Sequence, residues 1–144
     1  MNIVIVGYGA VGKHYVSLLT RNKKIKKIYI IENSSKLKLE KRCSQIKFKD
    51  IEKKTIKVNF AIICTPSHLH YNYAYFFLQN KISTLIEKPF VLSMSHARKL
   101  INLKIKNKVK CWVAFQNRYN SAIQQGLKIN KNKKFGKPFL VDAA

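Results

Sequence analysis

Residues 1–6 are apolar apart from Asn2, the run breaks on glycines at 7, 9 and 12, and Val11, Tyr15, Leu18 and Leu19 then recur on one helical face. An apolar run too short for a helix, a glycine turn and a 3.6-residue period predict, in that order, a strand, a tight turn and a helix. Asn22 stands where a left-handed residue would end the helix. The same alternation continues along the chain. Strands are predicted at 28–31, 46–48, 60–64, 82–86 and 109–115. Helices are predicted at 35–42, at 68–79 with Leu69, Tyr73, Phe76 and Phe77 inward, and after an N-cap at Ser93 with Ala97, Leu100, Ile101 and Ile105 inward. Unbroken apolarity at 60–64 means that both faces of that strand are covered, as in a parallel sheet between helices. The prediction is a doubly wound parallel α/β sheet over 1–130, undivided by any repeat, Pro- or Ser-rich linker or low-complexity block.

The glycine turn is the first candidate for chemistry. Gly7 permits the turn, Gly9 leaves room for a pyrophosphate to approach the backbone, and Gly12 lets the helix pack close to the strand. Tyr8, Ala10 and Val11 complete the loop and the helix start, where N–H groups and the positive end of the macrodipole favour an anion. Glu32 closes the second strand twenty residues beyond Gly12, the spacing at which an acid meets the ribose hydroxyls of a dinucleotide. A structural glycine turn with a solvated glutamate is the plainer alternative. Ligands in open α/β sheets bind outside the C-terminal ends of the strands. Those ends are 7–12, Glu32, Thr65-Pro66-Ser67, Glu87-Lys88-Pro89 and Gln116-Asn117-Arg118.

Composition narrows the classes. A chain of 144 residues with 47% hydrophobic content is long enough for one domain with a sizeable core and too apolar for disorder. No run approaches the ~18 apolar residues of a membrane span, and glycines stand where a secretory signal would carry a basic region and a cleavage site. The expectation is a cytoplasmic domain with no membrane partner. Cys43, Cys64 and Cys111 are odd in number and lack metal-ligand spacing, which predicts buried free thiols and no metal. The net charge of +23 would by itself suggest nucleic acid. All but Arg21, Arg42, Arg98 and Arg118 of the 29 cations are lysines, the bias that A/T-rich codons produce, and they spread over helix ends and loops rather than one face. No specific nucleic-acid partner is expected.

Several motifs in order carry a resemblance. Gly7-Tyr8-Gly9-Ala10-Val11-Gly12, Cys64-Thr65-Pro66-Ser67-His68-Leu69-His70, Glu87-Lys88-Pro89 and Phe115-Gln116-Asn117-Arg118-Tyr119-Asn120 span most of the chain. Together they resemble the N-terminal, Rossmann-type NAD(P)-binding domain of the glucose-fructose oxidoreductase, inositol dehydrogenase and MocA family. The resemblance implies a nicotinamide cofactor and hydride transfer at an alcohol carbon of a sugar, cyclitol or sugar nucleotide. It also implies that Thr65, Pro66 and His70 line the cofactor side of the cleft, with Glu87 beside them, and that Gln116 and Arg118 lie near nicotinamide and substrate. His70 as a satisfied helix-start histidine, and Arg118 as a partner of a carboxylate or a helix cap, are the alternatives.

Lys88 fits the chemistry that the resemblance implies. Oxidising an alcohol requires its hydroxyl proton to leave, so a proton donor or acceptor must stand beside the substrate oxygen. A free lysine, at about 10.4, is too basic for that work near neutrality, and burial or neighbouring cations lower it. Pro89 disfavours helix at Lys88 and holds it at the strand end. Glu87 and Lys88 as a solvated loop pair is the alternative.

The sequence departs from the family at Ser121, where a proline is usual, and in length. Family members continue into a second α/β domain that covers the cleft. Residues 131–144 read as the start of such a substrate domain, with a strand at 139–141 whose unpaired edge invites self-association into a homo-oligomer. NAD is expected over NADP because Glu32 would repel a 2′-phosphate, although Lys36 and Lys38 soften that preference. The chain alone is expected to bind cofactor without turnover. The other classes are a non-catalytic dinucleotide-binding or sensor module and a basic nucleic-acid-binding protein.

Overall fold

The computed structural model describes residues 1–33, 37–131 and 136, and within them the predicted alternation is present. β1 (Asn2–Val6), α1 (Ala10–Thr20), β2 (Lys27–Ile31), β3 (Cys43–Ile46), α2 (Phe48–Glu52) and β4 (Phe60–Ile63) are followed by α3 (His70–Gln79), β5 (Ser83–Ile86), α4 (Met94–Lys106), β6 (Cys111–Val113) and α5 (Ser121–Lys131). The chain divides into two compact units, Met1–Ala114 and Phe115–Ala144. In the first, six strands form one sheet in the order β3-β2-β1-β4-β5-β6, and every pairing is parallel. Strand order therefore reverses between β1 and β4, the place where such sheets open a crevice.

β1 shows why the sheet must be covered twice. Its side chains alternate faces. Ile3 and Ile5 pack with Val16 of α1 and Ile28, Ile30 and Ile62, whereas Val4 and Val6 pack with Ala74 and Phe77 of α3 and with Leu100 of α4. Burying one such side chain contributes about 1.5–3 kcal/mol, so continuous apolarity specifies a central strand that would be costly to expose.

Several local expectations are corrected. The buried face of α1 is centred on Gly12 and Val16, while Val11 is 40% and Leu18 50% exposed. A glycine contributes nothing to an apolar count, yet a Cβ at Gly12 would run into the carbonyl oxygen of Gly7, so close approach sets the helix's rotation. α3 likewise buries His70, Ala74, Phe77 and Leu78, one position on from the predicted face, because a polar and a small residue lie on its centre line. In α4 Leu100 is fully buried, but Ile101 and Ile105 are exposed.

Residues 37–42 form no helix, and residues 35 and 36 of that prediction lie outside the described residues. The third strand comes earlier than predicted, at Cys43–Ile46, and Phe48 opens α2 instead. The Asp50 carboxylate accepts the Lys47 N–H at 2.9 Å, an acid at the third helical position satisfying the entry to the helix. Phe48 then packs edge-on against Tyr73 and Phe76 of α3, with ring centroids 5.1 and 4.8 Å apart.

Asn22 does not adopt the left-handed conformation. That conformation falls on lysines: Lys54 (φ 56°), Lys81 (φ 59°) and Lys108 (φ 54°) follow the ends of α2, α3 and α4. At each, two backbone bonds close the helix, for example Lys81 N–H to Leu78 O at 3.1 Å and Ile82 N–H to Phe77 O at 2.8 Å. In the second unit, Asn120 caps α5 by accepting the Ala122 N–H at 2.9 Å. No element is predicted there from the hydrophobic pattern, although Asn120-Ser121 is a helix-start signal. The predicted strand at 139–141 lies outside the described residues.

Candidate functional site

The site begins at the turn between β1 and α1. Gly7 has φ +93°, a conformation that an L side chain rarely adopts, and its N–H donates to the Ile31 carbonyl at 2.9 Å. A Cβ on Gly7 would stand 2.7 Å from the Cys64 carbonyl oxygen, so the turn lies directly on the end of β4. Gly9 is the N-cap of α1 with φ −68° and no side-chain cap, and a Cβ added there would meet nothing within 4 Å. The three glycines thus have two kinds of surroundings: two are closed in by backbone, and the third faces open space at a helix start whose N–H groups point outward. Ala10 and Val11, both exposed, border that space. An anionic pyrophosphate fits this cradle, and no acidic residue in the first turn of α1 opposes it.

Glu32 sits beside the cradle. Its Oε2 accepts the Tyr8 N–H and its Oε1 the Asn33 N–H, each at 2.8 Å. Gln45 on β3 donates to the Glu32 carbonyl at 3.2 Å and accepts the Leu37 N–H at 3.0 Å. Glu32, Asn33, Leu37, Gln45 and Phe48 are among the residues that line an open cleft of about 970 Å³. Burial, with the charges of Cys43 and Glu40 adding, pushes the Tyr8 phenol above its ordinary range.

The ends of β4 and β5 complete the candidate residues within the first unit. Glu87 is only 7% exposed; its Oε1 accepts the Tyr15 hydroxyl at 3.0 Å and its Oε2 the Lys88 N–H at 3.3 Å. It is therefore no solvated loop residue but a link from α1 to the loop after β5. Lys88 itself is exposed, and its peptide bond to Pro89 is cis. Cys64 is half-buried, and its thiol is pushed up to about 12 by burial, with the Glu87 carboxylate adding. Burial raises the Cys43 and Cys111 thiols as well, and all three are free.

Thr65 lies beside the glycine turn, its backbone nitrogen 3.0 Å from where a Gly7 Cβ would be, and Pro66 is exposed at the head of the 3₁₀ turn Ser67–Leu69. His70 is 1% exposed and both its ring nitrogens face backbone carbonyls, so any influence it has on the cleft passes through those groups. Gln116 and Arg118 belong to the second unit. They form the 3₁₀ turn Gln116–Tyr119, where the Arg118 guanidinium lies 5.5 Å from the centre of the Phe115 ring.

Tyr15 and Gln45 were not singled out from the sequence. Tyr15 read as a core residue of α1, and the only hint was that a half-buried tyrosine hydroxyl needs a partner. Gln45 lay in the segment whose strand was misplaced. Among the described residues no group of three or more His, Cys, Asp or Glu gathers to hold a metal ion. Among the same residues no helix is long and apolar enough to cross a membrane.

The family model GFO_IDH_MocA, an oxidoreductase family with an NAD-binding Rossmann fold, matches residues 1–115. Comparison with curated proteins gave no match. Among solved structures the chain is similar to scyllo-inositol dehydrogenase from Lactobacillus casei with bound NAD(H) and scyllo-inositol, at 19% identity and TM-score 0.81, covering 94% of this chain and 42% of that one. It is also similar to the WlbA dehydrogenase from Bordetella pertussis in complex with NADH and UDP-GlcNAcA, at 17% identity and TM-score 0.80, over 94% of this chain and 41% of that one. GenD2 from gentamicin A biosynthesis, in complex with NAD, gives 19% identity and TM-score 0.80 over 93% and 40%. At such identities the likeness is one of fold. The chain spans about two fifths of the length of these structures.

Proposed function

This chain belongs to the GFO_IDH_MocA oxidoreductase family, whose fold is an NAD-binding Rossmann fold, and we propose that its first unit is the cofactor half of a sugar, cyclitol or sugar-nucleotide dehydrogenase. The observation that carries the reading is the contrast among the glycines. Gly7 and Gly12 are closed in by backbone, and Gly9 alone leaves an open cradle at an uncapped helix start. That pattern is what a pyrophosphate needs and what a merely structural turn does not.

In this reading the N–H groups at the start of α1 bind the pyrophosphate, and Glu32 accepts ribose hydroxyls, which selects NAD over NADP. The 970 Å³ cleft beside Glu32 takes the adenosine end. Bound nicotinamide supplies the hydride acceptor or donor. Lys88 takes the proton from the substrate hydroxyl at its Nζ, or returns it in the reverse direction. Lys88 is exposed to water, so a further surface must exclude solvent from it before turnover.

That same exposure favours one alternative, a module that binds the dinucleotide and carries out no chemistry. Absorbance of reduced cofactor is followed at 340 nm with the 144-residue chain and a panel of cyclitols and sugar nucleotides, alongside retention of NADH by NADH fluorescence. Retention without turnover is expected. Steady turnover by this chain alone would contradict the need for a covering surface, and no retention would contradict the reading as a whole.

A further inference from the structure

His70, the first residue of α3, is 1% exposed. Its Nδ1 lies 2.8 Å from the carbonyl oxygen of Pro89 and its Nε2 2.8 Å from that of Thr65. Both acceptors are carbonyl oxygens, so whichever ring nitrogen carries the proton donates to one of them, and a proton on Nδ1 is the one that holds Pro89. With both nitrogens so engaged, the imidazole offers no polar atom to a ligand. We infer that His70 is a positioning residue, which ties the loop after β4 to the loop after β5 and thereby fixes the backbone of Lys88.

Lys88 lies between two tethered neighbours. Before it, Glu87 is buried and accepts both the Tyr15 hydroxyl and the Lys88 N–H. After it, the Pro89 carbonyl is held by His70. A lysine ammonium swings on a flexible four-carbon stem, so placing it beside a reacting oxygen requires first that its Cα be fixed. Thr65 supplies the other end of the tie through its backbone, and its buried Oγ1 has no hydrogen-bond partner among the described residues. His70 thus links the turn that abuts Gly7 to the segment that carries Lys88, through one side chain and two carbonyls. Its removal would leave both carbonyl oxygens without that partner and the Lys88 segment held from the Glu87 side only.

The inference rests on Lys88 being the proton-handling group, but its test needs no cofactor, so failure to bind NADH would count against that reading and leave this one standing. Backbone ¹⁵N order parameters and histidine ring ¹⁵N signals are measured on the full chain, the wild type beside His70→Phe and His70→Gln. In the wild type Lys88 should be as rigid as Val4 in β1, at about 0.85, and the His70 ring should carry a proton on Nδ1, the nitrogen that faces the Pro89 carbonyl. In His70→Phe the Lys88 value should fall below about 0.6 while Val4 is unchanged, and His70→Gln, which can keep one of the two bonds, should fall between. A general loss of packing would lower both sites together and so would overturn the proposal. Unchanged order at Lys88 in a folded variant, or a wild-type ring with no proton on Nδ1, would also overturn it. Should His70→Phe fail to fold, His70→Gln and the wild-type ring signals decide.

Discussion

The backbone N–H of Tyr8 donates to Oε2 of Glu32 at 2.8 Å, so the acid that closes β2 is bonded to the glycine turn that follows β1. The carboxylate is thereby held at the rim of the open cradle before any ligand arrives, and an acceptor placed in advance loses little entropy on binding. Held there, it can accept ribose hydroxyls but meets a 2′-phosphate as a like charge. Calorimetric titration should therefore show NADH binding more tightly than NADPH. Glu32→Ala should narrow the gap, chiefly by weakening NADH. Equal affinities in the wild type would remove the role given to Glu32.

The glycines should separate stability from binding. Gly9 has an ordinary φ of −68° and open space where a Cβ would go, so Gly9→Ala should leave Tm nearly unchanged. Gly12→Ala would press a methyl into the Gly7 carbonyl and should cost at least about 1–3 kcal/mol. Gly7→Ala adds the left-handed penalty of about 1–2 kcal/mol to a 2.7 Å approach to the Cys64 carbonyl oxygen. Thermal unfolding of the three variants checks the order; a Gly9→Ala variant as unstable as the others would mean that its open side is closed in solution.

Lys81 holds φ 59° after α3, where glycine would be at ease. Lys81→Gly should raise stability by about 0.5–1 kcal/mol, the strain relieved less the extra chain entropy of glycine, or about 2–4 °C in Tm. Lys81→Ala removes the same charge and keeps the strain, so it should not stabilise. An equal gain from both would assign the effect to charge repulsion instead.

The Cys64 thiol, raised to about 12 from an ordinary 9.0, holds its proton in the folded chain where the unfolded chain would release it. Between pH 9 and pH 12 the native state therefore binds more protons than the unfolded one, so this group's contribution to stability is present below pH 9 and lost as pH rises through that window. Alkylation at pH 8, mapped by mass spectrometry, should leave Cys64 unmodified until the chain is unfolded, since the thiolate is the nucleophile. Rapid labelling of native Cys64 would show that the loop against Glu87 opens readily.

The site was legible in the sequence wherever a residue's task is set by local backbone geometry. The placement of Gly7, Gly9, Gly12 and Glu32 is such a case, because the turn, the open helix start, the close packing and the acid held beside them lie along one strand–helix–strand path. What escaped depended on tertiary partners. Gly12 turned α1 by about one position because contact with Gly7, not apolar count, sets its rotation. Asp50 converted an apolar alternation at Ile46 and Phe48 into the end of a strand and the start of a helix. The burial of His70 and Glu87 could not be read, since each is satisfied by groups far away in the chain: Thr65 and Pro89 for one, Tyr15 for the other.

The central claim is that the cradle at Gly9 holds a dinucleotide pyrophosphate. Isothermal calorimetry of NADH into the 144-residue chain and into Gly9→Val tests it most directly, with Tm measured on both proteins. The account predicts saturable binding by the wild type and none by Gly9→Val, with the variant still folded. Absence of binding by the wild type, or undiminished binding by a folded Gly9→Val, would contradict it.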